Sequence, residues 1–216
     1  MMRNLILISV LVLSSCSQSE QEDKTKQSKK DQTEVTFTIL ALGDSLTEGL
    51  GVTEKDNYPS QLQKRLPKHI EVINAGLSGE TSTGLLNRLD WVLKQKPNLT
   101  ILNIGANDAM RALPIDLTRK NIDQIITKIK QSNSAVILAG MQIYDNLGKQ
   151  YVQDFNALYP KLAVKHGVLL VPFFLEHVAG IPQYNQKDLL HPNAEGYKII
   201  VEKNILPTVN QYLDSL

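Results

Sequence analysis

Five runs of β-branched and aliphatic residues recur along the chain, separated by stretches with helical spacing. The runs are VTFTILAL (35–42), IEVINAG (70–76), LTILNIG (99–105), AVILAGMQI (135–143) and VLLVPFF (168–174). Most are near-continuous in apolar character, the pattern of a strand covered on both faces. Between them, YPSQLQKRL (58–66) places Leu62 and Leu66 four apart, and STGLLNRLDWVLKQK (82–96) repeats leucine at 85, 89 and 93. That face is expected to bury Trp91 with Leu85 and Leu89, and Pro97 to stop the helix. LTRKNIDQIITKIKQ (117–131) aligns Ile122, Ile125, Ile126 and Ile129 on one stripe. YVQDFNALYPKLAVKHG (151–167) is expected to kink or restart at Pro160, and the closing helix (193–213) to bend or break at Pro207. Such alternation predicts βαβ units with right-handed crossovers. The expected fold class is α/β: three layers, α/β/α, on a five-stranded parallel sheet.

The chain has 216 residues, 42% of them hydrophobic, enough for one well-buried domain, expected over 35–216. A formal net charge of +1 gives no reason to expect a nucleic-acid partner. A single cysteine excludes an intramolecular disulfide and a cysteine zinc cluster. That cysteine ends MMRNLILISVLVLSSC, a basic residue, a short apolar run and two small residues. This is the layout of an export signal, expected over 1–15, and its apolar run is far below the roughly 20 residues of a membrane-spanning helix. LSSC resembles the bacterial lipoprotein lipobox. The resemblance implies lipidation of Cys16 and a membrane partner through that anchor; the plainer alternative is a secreted protein with an incidental cysteine. Residues 17–34, SQSEQEDKTKQSKKDQTE, contain no aliphatic or aromatic side chain and, with Cys16, form the expected anchor and flexible tether, 16–34. The expected location is the cell envelope, on the periplasmic face of the outer membrane if the host is Gram-negative, since Ser17 rather than Asp follows the cysteine; otherwise the protein would be periplasmic or secreted.

Chemistry collects where the strands end. In an open α/β sheet, ligands sit beyond the carboxyl ends of the strands. Ser45 follows the first run, Gly79 (LSGETS) the second and Asn107 (GANDAM) the third; Asp188 and His191 (DLLHP) come after the fifth. A serine hydroxyl needs a base within hydrogen-bond reach to act as a nucleophile. His191 is the candidate base and Asp188 the carboxylate that fixes its tautomer. Backbone N–H groups of Ser45 and Gly79 and the Asn107 amide are candidate oxyanion donors. Glycine at 79 is expected because a close backbone approach leaves no room for a Cβ. Pro192 should keep His191 out of helical backbone and suit the first turn of the closing helix. Ser45 alone could equally cap a helix from Leu46, and Asn107–Asp108 could be a plain helix start. Asp44 reads as a local turn acceptor and Asp108 as a brace. Arg111 and Tyr144 read as groove-mouth or solvent-facing residues, and His69, His166 and His177 as surface or structural ones. Asp188 and His191 have no companions at metal spacing, so neither metal nor cofactor is expected.

GDSLTEG, SGET, GAND and DLLHP together resemble, in order, the four sequence blocks of the SGNH (GDSL) hydrolase superfamily, over nearly all of 35–213. The resemblance implies a flavodoxin-like sheet, a Ser45–His191–Asp188 triad, and an oxyanion hole of Ser45, Gly79 and Asn107. NAGLSGETSTGLLNRL, NIGANDAMRALP and MQI are most similar to the bacterial multifunctional acyl-thioesterase, lysophospholipase and arylesterase group. This implies a monomeric serine esterase taking small acyl esters or thioesters. YDNLGKQY, after MQI, departs from the proline-containing stretch usual in that group, so chain-length preference does not carry over. Two rival expectations are a carbohydrate or peptidoglycan O-acetylesterase and a non-catalytic acyl-binding lipoprotein.

Overall fold

The computed structural model describes residues 34–143 and 147–216. The expected leader (1–15), Cys16, nearly all of the tether, and Tyr144 lie outside the described residues. Five parallel strands, β1 (Phe37–Gly43), β2 (Ile70–Gly76), β3 (Leu99–Asn103), β4 (Ala135–Ala139) and β5 (Leu169–Val171), form one sheet in the order β2-β1-β3-β4-β5. This is the flavodoxin-like order, with its switch point between β1 and β3. The centre of β1, Ile39–Leu42, is fully buried, as are Ile101 and Leu102 of β3.

The described helices are α1 (Ser45–Glu48), α2 (Tyr58–Gln63), α3 (Ser82–Val92), α4 (Ala106–Met110), α5 (Ile115–Gln131), α6 (Lys149–His166), α7 (Ala194–Ile200) and α8 (Leu206–Leu213). α3, α5 and α6 pack side by side in one layer; α2 packs with α7 and the helical run that follows it. The isoleucine stripe of α5 is fully buried, as its spacing predicts. Side-chain caps open several helices: Asn57 accepts from Ser60 N–H, Thr81 from Gly84 N–H and Asn193 from Gly196 N–H.

Three expectations are corrected. Trp91 is 67% exposed. It lies two residues, hence about 200° of helical rotation, past Leu89, on the face away from Leu85, Leu89 and Val92. α6 is a single helix through Pro160, with no restart; Pro160 and Asn156, whose carbonyl loses its helical donor there, are both exposed to water. The last three strands are shorter than their apolar runs, ending at Asn103, Ala139 and Val171; just past β4, a Cβ at Gly140 would stand 2.5 Å from the Pro172 carbonyl oxygen. The expected break at Pro207 is present as a wider π turn, Val201–Ile205, leading into α8, where the proline's missing N–H costs nothing.

Candidate active site

The carboxyl ends of β1 and β3 flank the switch point, and the polar residues gather there. Asp44 caps α1 by accepting from Leu46 N–H at 3.0 Å, so Ser45 is the first helical residue and not the cap. Gly43 permits this geometry: a Cβ there would lie 2.1 Å from the Asn103 carbonyl oxygen. Ser45 is almost fully buried, and its Oγ is 2.9 Å from His191 Nε2. On the far side of the imidazole, Nδ1 is 2.7 Å from Asp188 Oδ2. The loop carrying this pair folds back on itself through Leu189, whose φ is +59°, and is closed by Gln186 N–H donating to the His191 carbonyl at 2.8 Å. Pro192 pairs with Asn185 in an isolated bridge and precedes the Asn193 cap, rather than entering the first turn of α7 as expected.

Asp188 Oδ1 accepts from the backbone N–H groups of Leu190 (2.9 Å) and His191 (3.0 Å). Partial burial pushes its pKa up, but those donors and the His191 ring outweigh this and hold it at about 2. The carboxylate is therefore charged at neutral pH. Asp44 is the opposite case. Burial raises it from 3.8 to about 7, against the lowering effects of Leu46 N–H, His191 and Asn107. The folded chain thus retains a proton that the unfolded chain has lost, so the Asp44 contribution to stability falls as pH rises from about 4 to about 7. Asp44→Asn should flatten that part of the profile. Urea unfolding at pH 5 and pH 8 should show a smaller loss in the variant than in the parent; equal losses would refute the assignment.

Ser45, Asn107 and His191 line one cavity of about 460 Å³. Its remaining wall is mainly apolar, including Met141, Ile143, Leu147, Phe173 and Leu175. Asn107 is buried at the start of α4, with Nδ2 3.3 Å from Asp44 Oδ2, and its second amide hydrogen is not required by that contact. Gly79 is not among the cavity-lining residues; it sits on the exposed loop after β2. A Cβ at 79 would meet only Arg111 Nη2, at 3.8 Å, so crowding within the protein is not the reason for glycine there. The reason is its φ of +75°.

Two polar webs hold the Gly79 loop. The buried Glu80 takes a bidentate pair from Arg88, at 2.7 and 2.6 Å, and Arg88 Nη2 donates to the Ala75 carbonyl at 2.8 Å. Asp108 accepts from Ser82 N–H (2.8 Å) and Ser82 Oγ (2.5 Å), and Asn121 Nδ2 donates to that hydroxyl oxygen at 3.1 Å. Asp108 and Ser82 are fully buried; stranding either would leave polar groups unpaired at about 1–3 kcal/mol each. Arg111 adds a 2.8 Å bond to the Gly79 carbonyl. The Asp108 brace is as expected; no sequence motif names Glu80, Arg88, Ser82 and Asn121 as its companions. Their one trace in the sequence is Asn121, a polar residue beside the isoleucine stripe of α5.

The other histidines lie elsewhere: His166 pairs with Asp123 at 2.6 Å, while His69 and His177 are exposed. Among the described residues, no group of three or more His, Cys, Asp or Glu is placed to hold a metal.

The sequence profile of the GDSL-like Lipase/Acylhydrolase family matches residues 41–199, well over half of the chain. The chain belongs to the GDSL-like lipase/acylhydrolase family. This GDSL-family hydrolase is 35% identical over 206 residues to an arylesterase of Vibrio mimicus, covering 94% of this chain and 95% of that one. It is 36% identical over 177 residues to thioesterase 1/protease 1/lysophospholipase L1 of Escherichia coli strain K12, covering 80% and 85%. Among solved structures it resembles the psychrotrophic esterase EstA from Pseudoalteromonas sp., in a form inhibited by monoethylphosphonate. The TM-score is 0.77 at 30% identity, covering 82% of this chain and 98% of that one. The GDSL-family fold, a hydroxyl–imidazole–carboxylate relay and these relatives make the protein a carboxylic ester hydrolase.

Proposed function

We propose that this hydrolase cleaves esters and thioesters of acyl chains through an acyl-serine intermediate, with Ser45 as nucleophile. The observation that carries the reading is the Ser45–His191–Asp188 relay at the wall of an apolar cavity. The Ser45 oxygen attacks the substrate carbonyl carbon while its proton passes to His191 Nε2. The carbonyl electron pair becomes an oxyanion, with the Asn107 side-chain amide and the backbone N–H groups of Ser45 and Gly79 as its donors. One such donor is worth about 2.7–4 kcal/mol. Collapse of the intermediate expels the alkoxide or thiolate, which takes the proton from His191. Water then gives a proton to His191 and attacks the acyl-serine carbonyl carbon; the second intermediate breaks its bond to Ser45 Oγ, which takes that proton from His191, and the carboxylic acid is released.

The arylesterase, thioesterase and lysophospholipase names of the relatives support aryl esters, acyl thioesters and lysophospholipids as the substrate range. The apolar cavity wall supports substrates with an acyl chain over simple acetyl esters. We also propose that Cys16 carries a lipid anchoring a monomeric enzyme at the cell envelope, on the periplasmic side of an outer membrane; LSSC and the polar segment after it support this.

A panel of p-nitrophenyl acyl esters, acyl thioesters, a lysophospholipid and an acetylated glycan tests the reading, together with fluorophosphonate labelling. Turnover of the acyl substrates with covalent labelling is expected. Acetate release alone would favour the O-acetylesterase, and failure to label would favour a passive binder.

A further inference from the structure

Asp44 is buried beside the nucleophile, yet the relay does not use it. Its Oδ1 accepts from Leu46 N–H at 3.0 Å and caps α1. A cap needs one acceptor oxygen, which Asn or Ser supplies without burying an acid. The second oxygen, Oδ2, is 3.3 Å from Asn107 Nδ2. Among the described residues, the Asn107 side chain makes no other hydrogen bond. Asp44 is therefore the group that orients the amide proposed to meet the oxyanion.

An ionised carboxylate accepts hydrogen bonds and cannot donate. It requires the Asn107 nitrogen, not the oxygen, on its side, and leaves the second N–H for the cavity that Asn107 lines. A proton on Asp44 reverses this. Oδ1 stays occupied as the acceptor of Leu46 N–H, so the proton sits on Oδ2, against Asn107. An O–H there calls for an acceptor, and turning the amide end for end supplies one. The amide oxygen then stands where the nitrogen stood, and it repels an oxyanion instead of binding it. Burial brings this proton within reach, lifting Asp44 from 3.8 to about 7. Several titratable groups surround it. His191 comes from the loop before α7, Glu80, paired with Arg88, from the loop after β2, and Tyr58, Tyr159 and Tyr197 from α2, α6 and α7. Burial holds the three phenols above their ordinary range, so they stay neutral.

We propose that Asp44 is a positioning residue for the oxyanion hole: its carboxylate fixes which end of the Asn107 amide faces the reacting carbonyl, and its protonation turns that donor away. The role rests on the acyl-ester reading for the reaction it serves. The coupling of Asp44 to Asn107 is a separate property of the two side chains.

The test uses full-length chains, all carrying Cys16→Ser to remove the proposed lipid: a parent, Asp44→Asn, Asn107→Ala, and both substitutions together. In Asp44→Asn, Leu46 N–H selects the new side-chain oxygen, so the new nitrogen faces Asn107 and holds that amide reversed. Its kcat for p-nitrophenyl butyrate should fall about 100- to 1,000-fold with little change in KM, the scale of one lost donor. Asn107→Ala should lose as much. The double variant should match Asn107→Ala within about twofold, because Asp44 acts through Asn107. A residue that only supports the fold would instead multiply the two losses. Toward acid, log kcat of the parent should fall with a slope approaching about two, from His191 and Asp44 together, and that of Asn107→Ala with a slope of about one. That comparison holds even where Asp44→Asn does not fold. The side-chain amide signals of Asn107 in ¹⁵N NMR should titrate at about pH 7 in the parent and not in Asp44→Asn. Multiplied losses, a parental kcat in Asp44→Asn, equal slopes, or amide signals that do not titrate in the parent would each overturn the proposal. If the parent cleaves no ester yet those signals titrate, the ester reading fails and the Asp44–Asn107 coupling stands.

Discussion

Ser45→Ala is expected to lower ester hydrolysis by about 10⁶-fold, the scale seen when a serine nucleophile is removed from a relay. The hydroxyl contributes little to the fold. Its one side-chain bond is to His191, and it lies against the cavity rather than the sheet core. Asp44 supplies the cap for α1, so alanine at 45 leaves the helix start intact. Circular dichroism and the melting temperature should therefore match the parent. Steady-state turnover of a p-nitrophenyl ester checks the activity, and more than 1% residual turnover by a clean, folded variant would remove Ser45 from the chemistry.

Asp188→Asn should cost about 10⁴-fold in kcat with little change in KM. The backbone N–H groups of Leu190 and His191 select the orientation of the new side chain, because they require an oxygen at the Oδ1 position. The amide nitrogen is then left facing His191 Nδ1. A donor there forces that ring nitrogen to accept, which places the proton on Nε2 and leaves nothing to take the Ser45 proton. Folding should be little affected at neutral pH. Asp188 is held below its ordinary value, so its stabilising effect is complete above about pH 4 and is lost as pH falls toward about 2. With its side chain 44% exposed, the loss should stay below about 1 kcal/mol. A variant that loses kcat and stability together would instead make Asp188 a structural residue.

These residues were legible because each stands in a short block at the end of an apolar run. Ile39–Leu42 announce a buried strand, and the polarity change at Asp44–Ser45 marks where the strand leaves the core. The isoleucines of α5 are legible for the same reason: period alone assigns their face. Trp91 is the counter-case: its hydrophobicity points inward, but its angle on the helix sets it on the exposed face. Pro160 does not restart α6: Asn156, whose carbonyl loses its donor, is exposed, and that exposure is set by packing rather than by local sequence. Glu80–Arg88 and Asp108–Ser82 were illegible as pairs: Asp108 and Ser82 are 26 residues apart, and nothing local in either segment names the other. At Gly79 the sequence names the glycine but not the positive φ that it supplies, because backbone dihedrals leave no local trace.

The site has two unlike parts. The loop of Gly79 and the start of α4 are joined below the surface by Asp108 and Ser82, which ties together the groups proposed to meet the oxyanion. Much of the cavity wall comes from other parts of the chain, Met141, Ile143, Leu147, Phe173 and Leu175, which take no part in that linkage. Selectivity and reactivity are therefore modular in this architecture. Single substitutions on the acyl side can lengthen or narrow the slot without disturbing the hydrogen bonds that hold the other half.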